Sequence, residues 1–442
     1  MADPPDSSRL LAEALTAATA GRLEPAVRIW RELLAVDPYL LEAQQNLALA
    51  LFKLHDYQAA FRQLEQGVLL FPADPMLALW QGHAAQKFGD TGRAAVLYAR
   101  AAALDPGNPS TWLVLAMARR DLADYPAACT AIEQFLRLRP ADPQGHFEYA
   151  QLLLGLGRWD EGFAEYEWRF QRPTCPPREY PYPRWDGTVR EGFRLLVSAE
   201  QGYGDTIQFA RFIPQLAGRG VEVTLACYPE LLRLLRGLPG LRRIVELGKE
   251  PMGFDATIPV MSLGSYCLLE SLSHTPALSL TSPGRPLLPA APLESHNKKI
   301  GLVWAGSGKH TNDASRSIPW PIFSRLLRGG NHGYYSLQIG GERPEPWPEQ
   351  LIDLSPLIHD YADTAALIDQ LDLVVTVDTS VAHVAGALGK PFWLLLPYAP
   401  DWRWLLQEQL GPWYGQMRMF RQARLGEWRG VIAEVLRGVS EL

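Results

Sequence analysis

The types and the order of residues 375–388 suit the binding of a phosphate group. They read VTVDTSVAHVAGAL, so β-branched residues lead into Asp378, Thr379 and Ser380, and His383 follows among small residues. The pattern predicts a buried strand, a short polar turn and a helix N-terminus, whose unpaired N–H groups and partial positive charge favour an anion. The alternative is an ordinary strand–helix turn in which Asp378 or Ser380 caps the helix.

A second candidate stretch lies at Gly202–Thr206, directly after the short apolar strand predicted for 193–199. Its glycines, including Gly204, permit a tight turn and a close approach of the backbone to a ligand. Ligands of parallel α/β sheets bind where strands end, which is the place of this stretch. The stretch is not a GxGxxG fingerprint and no acidic residue completes a nicotinamide site, so an NAD-dependent enzyme is disfavoured.

A third candidate stretch is the polar loop of residues 306–317, which follows a strand predicted for 299–305. It is too long and too rich in hydrogen-bond donors to be merely a turn. Two cations stand in it, Lys309 and Arg316. The alternatives are that Lys309 is a solvated loop residue and that Arg316 pairs with Asp313 as a structural bridge.

The elements around these stretches alternate between strands and helices, which predicts two α/β domains with parallel, doubly wound sheets. We place the first domain at residues 190–292 and the second at 293–442, after a proline-rich stretch. Residues 171–189 hold five prolines together with Tyr180, Tyr182 and Trp185, and predict an ordered linker rather than a helix.

Residues 8–170 repeat with a period of 34. Four registers keep this period: prolines (Pro38, Pro72, Pro106, Pro140), alanines (Ala26, Ala60, Ala94, Ala128), large apolar residues (Trp30, Leu64, Tyr98, Ile132) and small residues (Ala14, Ala48, Gly82, Ala116, Ala150). A 34-residue helix–turn–helix unit is the tetratricopeptide repeat. The period weakens in the fifth unit, and we interpret 157–170 as a last, capping helix. Such arrays bind a peptide or protein on their concave face; the alternative is a spacer or dimerisation surface.

Composition excludes several classes of protein. The 442 residues carry a net charge of −6 without a basic run, so nucleic acid is not expected as a partner. No apolar run reaches the roughly 18 residues of a transmembrane segment, and the first residues lack the regions of a signal peptide. The four cysteines are scattered, which predicts neither a zinc site nor a disulfide framework. We therefore expect a cytoplasmic protein.

Several motifs together resemble the bacterial tetratricopeptide-linked glycosyltransferases, which are related to the lipopolysaccharide heptosyltransferases and, more distantly, similar in architecture to O-linked N-acetylglucosamine transferases. The motifs are EQGYGDTIQFARFIPQL, GLVWAGSGKHTNDASRSIPW, DTAALIDQLDLVVTVDTSVAHVAGALGKPFWLLLP, DWRWLL and PWYGQMRMFRQ. The resemblance covers about residues 185–440. It implies a GT-B fold of two facing Rossmann-like domains, with a nucleotide-sugar donor in the second and the acceptor near the first. It also implies inversion without an essential metal, and the sequence contains no DxD motif.

The resemblance also implies roles for single residues. Asp205 is the expected base for the acceptor hydroxyl, although its alternative role is only to cap the helix. The leaving diphosphate is expected to bind at Gly204, Lys309, Arg316, Asp378, Thr379, Ser380 and His383, where helix N-termini and cations replace a metal. The alternative for His383 is a hydrogen-bonded interior histidine. The run Asp401–Trp404 either stacks on a base or sugar or belongs to the core.

We therefore expect a glycosyltransferase that uses a nucleotide-sugar, without metal or other cofactor, on an acceptor that is a protein or a glycan. The repeats would recruit a polypeptide or an assembly partner. The alternative from another class is a repeat scaffold whose degenerate transferase domain binds a partner or a nucleotide without turnover. Polar residues at several strand ends argue against degeneration.

Overall fold

The computed structural model describes residues 7–267, 280, 286–289, 298–308, 313–341, 343–406 and 411–442. The chain divides into two compact units, Met1–Leu152 and Leu153–Leu442, which are described separately. Within the ranges given above, no helix combines the length and the apolar character needed to cross a membrane.

The first unit is built from antiparallel helix pairs of the repeat array. The helices are α1 Ser7–Thr19, α2 Leu23–Val36, α3 Leu41–Lys53, α4 Tyr57–Leu70, α5 Pro75–Lys87, α6 Thr91–Leu104, α7 Pro109–Asp121, α8 Tyr125–Leu138 and α9 Pro143–Gly155. The first helix of each pair begins 34 residues after the one before it, and so does the second. The predicted period is thereby confirmed helix by helix.

The predicted registers occupy the positions that repeat packing requires. Ala26, Ala60, Ala94 and Ala128 are all 0% exposed, and the large apolar residues four positions later are buried as well. At Gly82 an added Cβ would lie only 2.5 Å from the ring of Tyr98, so a small residue is required there. Each register proline follows the end of a helix by two residues, because proline cannot extend an α-helix.

The second unit contains the last helix that follows the 34-residue period, and after it a four-stranded parallel sheet. Helix α10 (Trp159–Tyr166) is followed by a 3-10 turn over Glu167–Gln171. The strands are β1 Phe193–Ser198, β2 Val221–Cys227, β3 Leu241–Glu246 and β4 Ala256–Pro259, in the order β3-β2-β1-β4. The helices among them are α11 Tyr203–Phe209, α12 Ile213–Gly218, α13 Leu232–Leu235 and α14 Gly264–Cys267.

The second sheet has six parallel strands in the order β10-β9-β8-β5-β6-β7. They are β5 Lys299–Val303, β6 Gly333–Ser336, β7 Leu351–Asp353, β8 Leu373–Val377, β9 Phe392–Leu396 and β10 Met417–Arg421. Its helices are α15 Asp313–Arg316, α16 Trp320–Phe323, α17 Tyr361–Asp369, α18 Ser380–Ala387 and α19 Trp428–Ser440. Both predicted parallel sheets are therefore present.

Two elements of the second unit differ from what the sequence alone predicts. The sequence predicts one amphipathic helix from Ile207 to about Ala217; the helix begins earlier, at Tyr203, and a 3-10 turn at Ala210–Phe212 divides it before Pro214, which has no N–H to donate. The sequence also predicts a strand over Tyr334–Ile339, which ends at Ser336. Beyond it the side chain of Gln338 accepts hydrogen bonds from the backbone N–H groups of Trp304 and Ala305, at 3.1 and 3.0 Å.

The proline-rich linker is ordered, as predicted. Trp185 is 2% exposed. Its backbone N–H donates to the backbone carbonyl of Thr257 at 2.9 Å, and the backbone N–H of Thr257 donates to the carbonyl of Pro183 at 3.0 Å. The linker thus runs beside β4 and extends the first sheet.

Candidate functional site

Asp205 lies in the first turn of α11, immediately beyond the carboxyl end of β1. Its Oδ2 accepts a hydrogen bond from the backbone N–H of Gly202, the N-cap residue, at 2.8 Å. Asp205 is thus the third residue of the helix and holds the N-cap residue; this differs from the alternative given above, in which Asp205 caps the N–H groups of residues 206–208. Its Oδ1 accepts from the guanidinium of Arg403 at 2.5 Å, and the side chain of Asp205 is 18% exposed. Both oxygens are therefore engaged in this state of the chain.

Arg403 joins the two sheets of the second unit. Besides Asp205, its guanidinium donates to Oε1 of Gln208 in α11 at 2.9 Å and to Asp401 at 2.7 Å. It also lies over the ring of Trp402 at 4.3 Å. Burial by itself would lower the pKa of Arg403, but the carboxylates of Asp401 and Asp205 raise that pKa overall. Arg403 is therefore a fixed positive charge near the carboxyl ends of strands in both sheets.

Strand β8, a short turn and helix α18 follow one another in the order that the sequence predicts. Thr379 is the N-cap residue, and its side chain makes no capping hydrogen bond. Instead its Oγ1 lies 3.2 Å from Oγ1 of Thr376. The hydroxyl of Ser380 lies 2.7 Å from that of Tyr361. The alternative of an Asp378 or Ser380 cap is therefore wrong.

The beginnings of α11 and α18 are in direct contact. A Cβ added at Gly204 would lie 2.6 Å from Cδ2 of His383 and 3.5 Å from Cα of Ser380, so glycine is required at this position. A second link is the pair of ion contacts from Arg233 in α13 to Asp360 and Asp363, at 2.8 and 3.2 Å. The predicted sites of the two sheets thus lie side by side.

His383 is an interior residue, as its alternative interpretation had it. It is 4% exposed, its Nδ1 lies 2.9 Å from the hydroxyl of Tyr414, and its ring stacks on Trp404 with centroids 5.4 Å apart. Burial lowers its pKa well below the ordinary value, and the charges of Arg403 and Arg211 lower it further. The imidazole is therefore neutral near pH 7 and contributes no positive charge to an anion site.

Asp378 is the carboxylate with the strongest perturbation in this region. Burial raises its pKa to about 6, the neighbouring charge of Asp401 adds to the rise, and Arg316 and Arg403 oppose it. The nearby indole of Trp404 also lowers the pKa of Asp378. The indole nitrogen itself is buried and makes no hydrogen bond of normal geometry. Two carboxylates and two guanidinium groups are therefore electrostatically coupled here.

Arg316 is the last residue of the short helix α15, and its side chain is mostly buried. Its Nε lies 3.3 Å from Oδ1 of Asp313, which is the structural bridge given above as an alternative. Its charge also lowers the pKa of Asp378, so it acts on the turn after β8 as well. Lys309 lies outside the described residues.

The sequence alone does not identify the residues that hold the two candidate stretches together. Arg403, Gln208 and Tyr361 provide these contacts, whereas the sequence suggests only that the run Asp401–Trp404 is a stacking surface or core. The available signal was one Asp-Arg pair inside an aromatic run directly after a predicted strand. In the described ranges of the chain, no group of three or more His, Cys, Asp or Glu side chains is placed to hold a metal ion.

A separate cleft of about 430 Å³ lies in the first unit, among α2, α3 and α4. Both polar and apolar side chains line it, and they include Arg31, Leu34, Gln44, Gln63 and Leu69. Inside it the amide of Gln63 donates to that of Gln44 at 2.5 Å. The repeats therefore contain a cleft of their own.

Comparison with known proteins gives matches for both parts of the chain. Residues 45–109 and 113–171 match the tetratricopeptide repeat family, and residues 360–396 match glycosyltransferase family 9 (heptosyltransferase). Protein FlbA of Caulobacter vibrioides is 26% identical over 451 aligned positions, which cover 93% of this chain and 75% of FlbA. The chain thus combines tetratricopeptide repeats with a segment similar to glycosyltransferase family 9.

Solved structures similar to this chain include those of MamA and YrrB. A structure of MamA from Desulfovibrio magneticus RS-1 is 18% identical, covers 38% of this chain and 94% of its own, and has a TM-score of 0.35. YrrB, described as a TPR protein with an unusual peptide-binding site, is 13% identical, covers 38% of this chain and 86% of its own, and has a TM-score of 0.35.

Proposed function

We propose that this protein is an inverting glycosyltransferase that moves a sugar from a nucleotide-sugar donor to an acceptor recruited by the repeats. The observation that carries the proposal is the contact between Gly204 and His383, which sets Asp205 beside the turn Asp378–Ser380. Both stretches follow carboxyl ends of parallel strands, where α/β proteins bind ligands. The match of residues 360–396 to glycosyltransferase family 9 covers this turn and supports the same assignment. We take the two sheets to be the halves of a GT-B fold.

In this proposal the acceptor hydroxyl attacks the anomeric carbon of the donor from the face opposite the diphosphate. Its proton passes to the carboxylate of Asp205, and the bond from the anomeric carbon to the diphosphate oxygen breaks with its electron pair on that oxygen. Backbone N–H groups at the start of α18, the hydroxyls of Thr379 and Ser380, and Arg316 stabilise the negative charge that develops there. Lys309 is proposed for the same role from its position in the sequence.

In this proposal Asp205 changes partners before it acts. Arg403 holds one of its oxygens and Gly202 the other. A diphosphate next to Arg403 would compete for this guanidinium and release an oxygen of Asp205 for the acceptor. Donor binding before acceptor deprotonation follows from this arrangement.

The same contacts favour a second candidate function, a repeat scaffold whose α/β part binds a nucleotide or a partner without turnover. In that case Asp205 only caps α11 and pairs with Arg403. A panel of nucleotide-sugars separates the two candidates. Raised melting temperatures followed by transfer to acceptor peptides or glycans support the enzyme, whereas protection by nucleotides with no transfer from any donor supports the scaffold.

For the repeats we propose recruitment of a polypeptide acceptor or an assembly partner on the concave face. The tetratricopeptide match over residues 45–109 and 113–171 supports this role. A peptide library displayed against the full chain tests it, and binding that depends on the repeats alone is the expected result.

A further inference from the structure

The segment directly before Asp205 contains a residue in an unusual backbone conformation. Gln201, between β1 and α11, has a φ of +56°, in the left-handed region that residues other than glycine seldom adopt. Such a conformation persists only when surrounding contacts determine it. We call residues 199–204 the base loop, and its supports come from a distant part of the sequence.

The side chain of Tyr166, the last residue of α10, holds Gln201. Its hydroxyl donates to Oε1 of Gln201 at 3.2 Å and accepts from Nε2 of the same side chain at 3.0 Å. Tyr166 is 2% exposed. On the other side the hydroxyl of Tyr228 donates to the backbone carbonyl of Gln201 at 2.7 Å. The backbone and the side chain of Gln201 are thus both fixed.

Arg169 holds the preceding residue, Glu200, in a two-point contact. Its Nε donates to Oε2 at 3.0 Å and its Nη2 donates to Oε1 at 2.8 Å. The guanidinium is fully buried, lies between the rings of Tyr166 and Phe170, and also donates to Oγ of Ser262 at 2.7 Å. Its Nη1 also donates to Oε1 of Glu167 at 2.9 Å, so two carboxylates balance the buried charge of Arg169.

These supports reach Asp205 through one residue of backbone. The conformation of Gln201 sets the direction of the next N–H group, that of Gly202. This N–H donates to Oδ2 of Asp205 at 2.8 Å. A change at Gln201 therefore turns the group that fixes the carboxylate.

We propose that Tyr166 and Arg169 are positioning residues for Asp205, acting through Gln201 and Glu200 of the base loop. This inference rests on the proposed function, because it assigns a purpose to the orientation of Asp205. It makes the end of α10 and the 3-10 turn that follows it part of the acceptor side of the site, although neither contains any of the motifs quoted above.

The test uses the full chain and a matched pair of variants. Tyr166→Phe removes one hydroxyl from a buried ring. Tyr98→Phe removes a hydroxyl from an equally buried ring, 2% exposed, whose partner is His83 at 3.0 Å in the repeats. We expect Tyr166→Phe to lower kcat at least tenfold with an unchanged Kd for the donor, and Tyr98→Phe to leave kcat unchanged.

Hydrogen–deuterium exchange gives a readout that needs no activity. Amides 201–206 are expected to exchange faster in Tyr166→Phe than in the wild type or in Tyr98→Phe. Arg169→Lys, which keeps the charge but loses the two-point contact, should have the same effect, with Arg120→Lys in the repeats as its control. If wild-type protein transfers no sugar, the proposed function fails, and the exchange measurement still decides the positioning.

Two outcomes overturn the proposal. One is an unchanged exchange of amides 201–206 in both Tyr166→Phe and Arg169→Lys. The other is an equal fall of kcat in Tyr166→Phe and Tyr98→Phe, which would indicate a general loss of stability. Faster exchange confined to amides 201–206, with a fall of kcat and an unchanged Kd for the donor, supports it.

Discussion

Asp205 combines two physical roles that compete for the same oxygens. As a carboxylate in the first turn of α11 it stabilises the helix N-terminus, and as the partner of Arg403 it neutralises a buried guanidinium. A base must also have a lone pair directed at the acceptor proton. Whether Arg403 leaves Asp205 when a phosphate binds is therefore the central chemical question at this site.

Replacing Asp205 by Asn tests its assignment as the base. The amide preserves the size of the side chain and leaves an oxygen to accept from Gly202, but it cannot take a proton. We expect transfer to fall by roughly 10²–10⁴-fold, with donor binding retained in calorimetry. Asp90→Asn, which changes the capping residue of α6 in the repeats, is the control. A wild-type transfer rate in Asp205→Asn would refute the assignment.

Arg316 tests whether protein cations rather than a metal hold the diphosphate. Arg316→Ala should weaken binding of the nucleoside diphosphate by about 1.5–3 kcal/mol, the size of a charge-assisted hydrogen bond. Arg343→Ala, at an exposed ion pair with Asp353 beside β7, should leave binding unchanged. EDTA should also have no effect in calorimetry. Loss of binding on chelation, without any effect of Arg316→Ala, would assign the role to a metal.

Asp378 predicts a pH dependence of stability with a defined sign. Because its pKa is raised from 3.8 to about 6 in the folded chain, the folded state binds the proton more tightly than the unfolded state. Its contribution to the free energy of unfolding is therefore greatest below about pH 4 and is lost as the pH rises through about 6, in line with proton linkage.

Asp378→Asn removes this contribution. As the pH rises from 4 to 7, the free energy of unfolding of the variant should increase relative to that of the wild type by on the order of 2–3 kcal/mol, at about 1.4 kcal/mol per pKa unit. Denaturant unfolding across this range measures it. Asp372→Asn, at the other end of β8, should follow the wild-type profile. Parallel profiles for Asp378→Asn and wild type would contradict the raised pKa.

At the scale of the elements, the repeats were predictable because one residue type recurs at one packing position. The alternation of strands with helices was predictable for a different reason: strands buried on both faces are apolar throughout and stand out from the amphipathic helices between them. Strands β7 and β10 were not predicted. β7 has only three residues, and β10 carries Arg418 and Arg421 among its apolar residues.

Ala94 tests the helix-crossing register. The residue lies in α6 and is 0% exposed, so Ala94→Leu inserts atoms where there is no space. Overpacking of this kind costs about 1–3 kcal/mol, and the melting temperature should fall accordingly. Val96→Leu, at a position of the same helix that is 65% exposed, should leave it unchanged. An unchanged melting temperature in Ala94→Leu would count against the register.

At the scale of the whole molecule, the sequence indicated which stretches belong to the candidate site but not how they are joined. Asp205 and the turn after β8 each follow an apolar strand, which a single sequence displays. The contacts of Arg403 with Asp205 and Gln208 connect residues about 200 positions apart. Only the folded chain brings such residues together, and the support of Gln201 by Tyr166 is hidden for the same reason.

The constant spacing of the helices also governs how the gene for such a chain can change in length. First helices begin at Ser7, Leu41, Pro75, Pro109 and Pro143, each 34 residues after the last. Unequal recombination between neighbouring repeats removes or adds whole units of this length, and every remaining helix then meets an equivalent neighbour. Deletions of other lengths break that phase. The array can therefore lengthen or shorten in evolution by recombination alone, while the α/β unit keeps its own sequence.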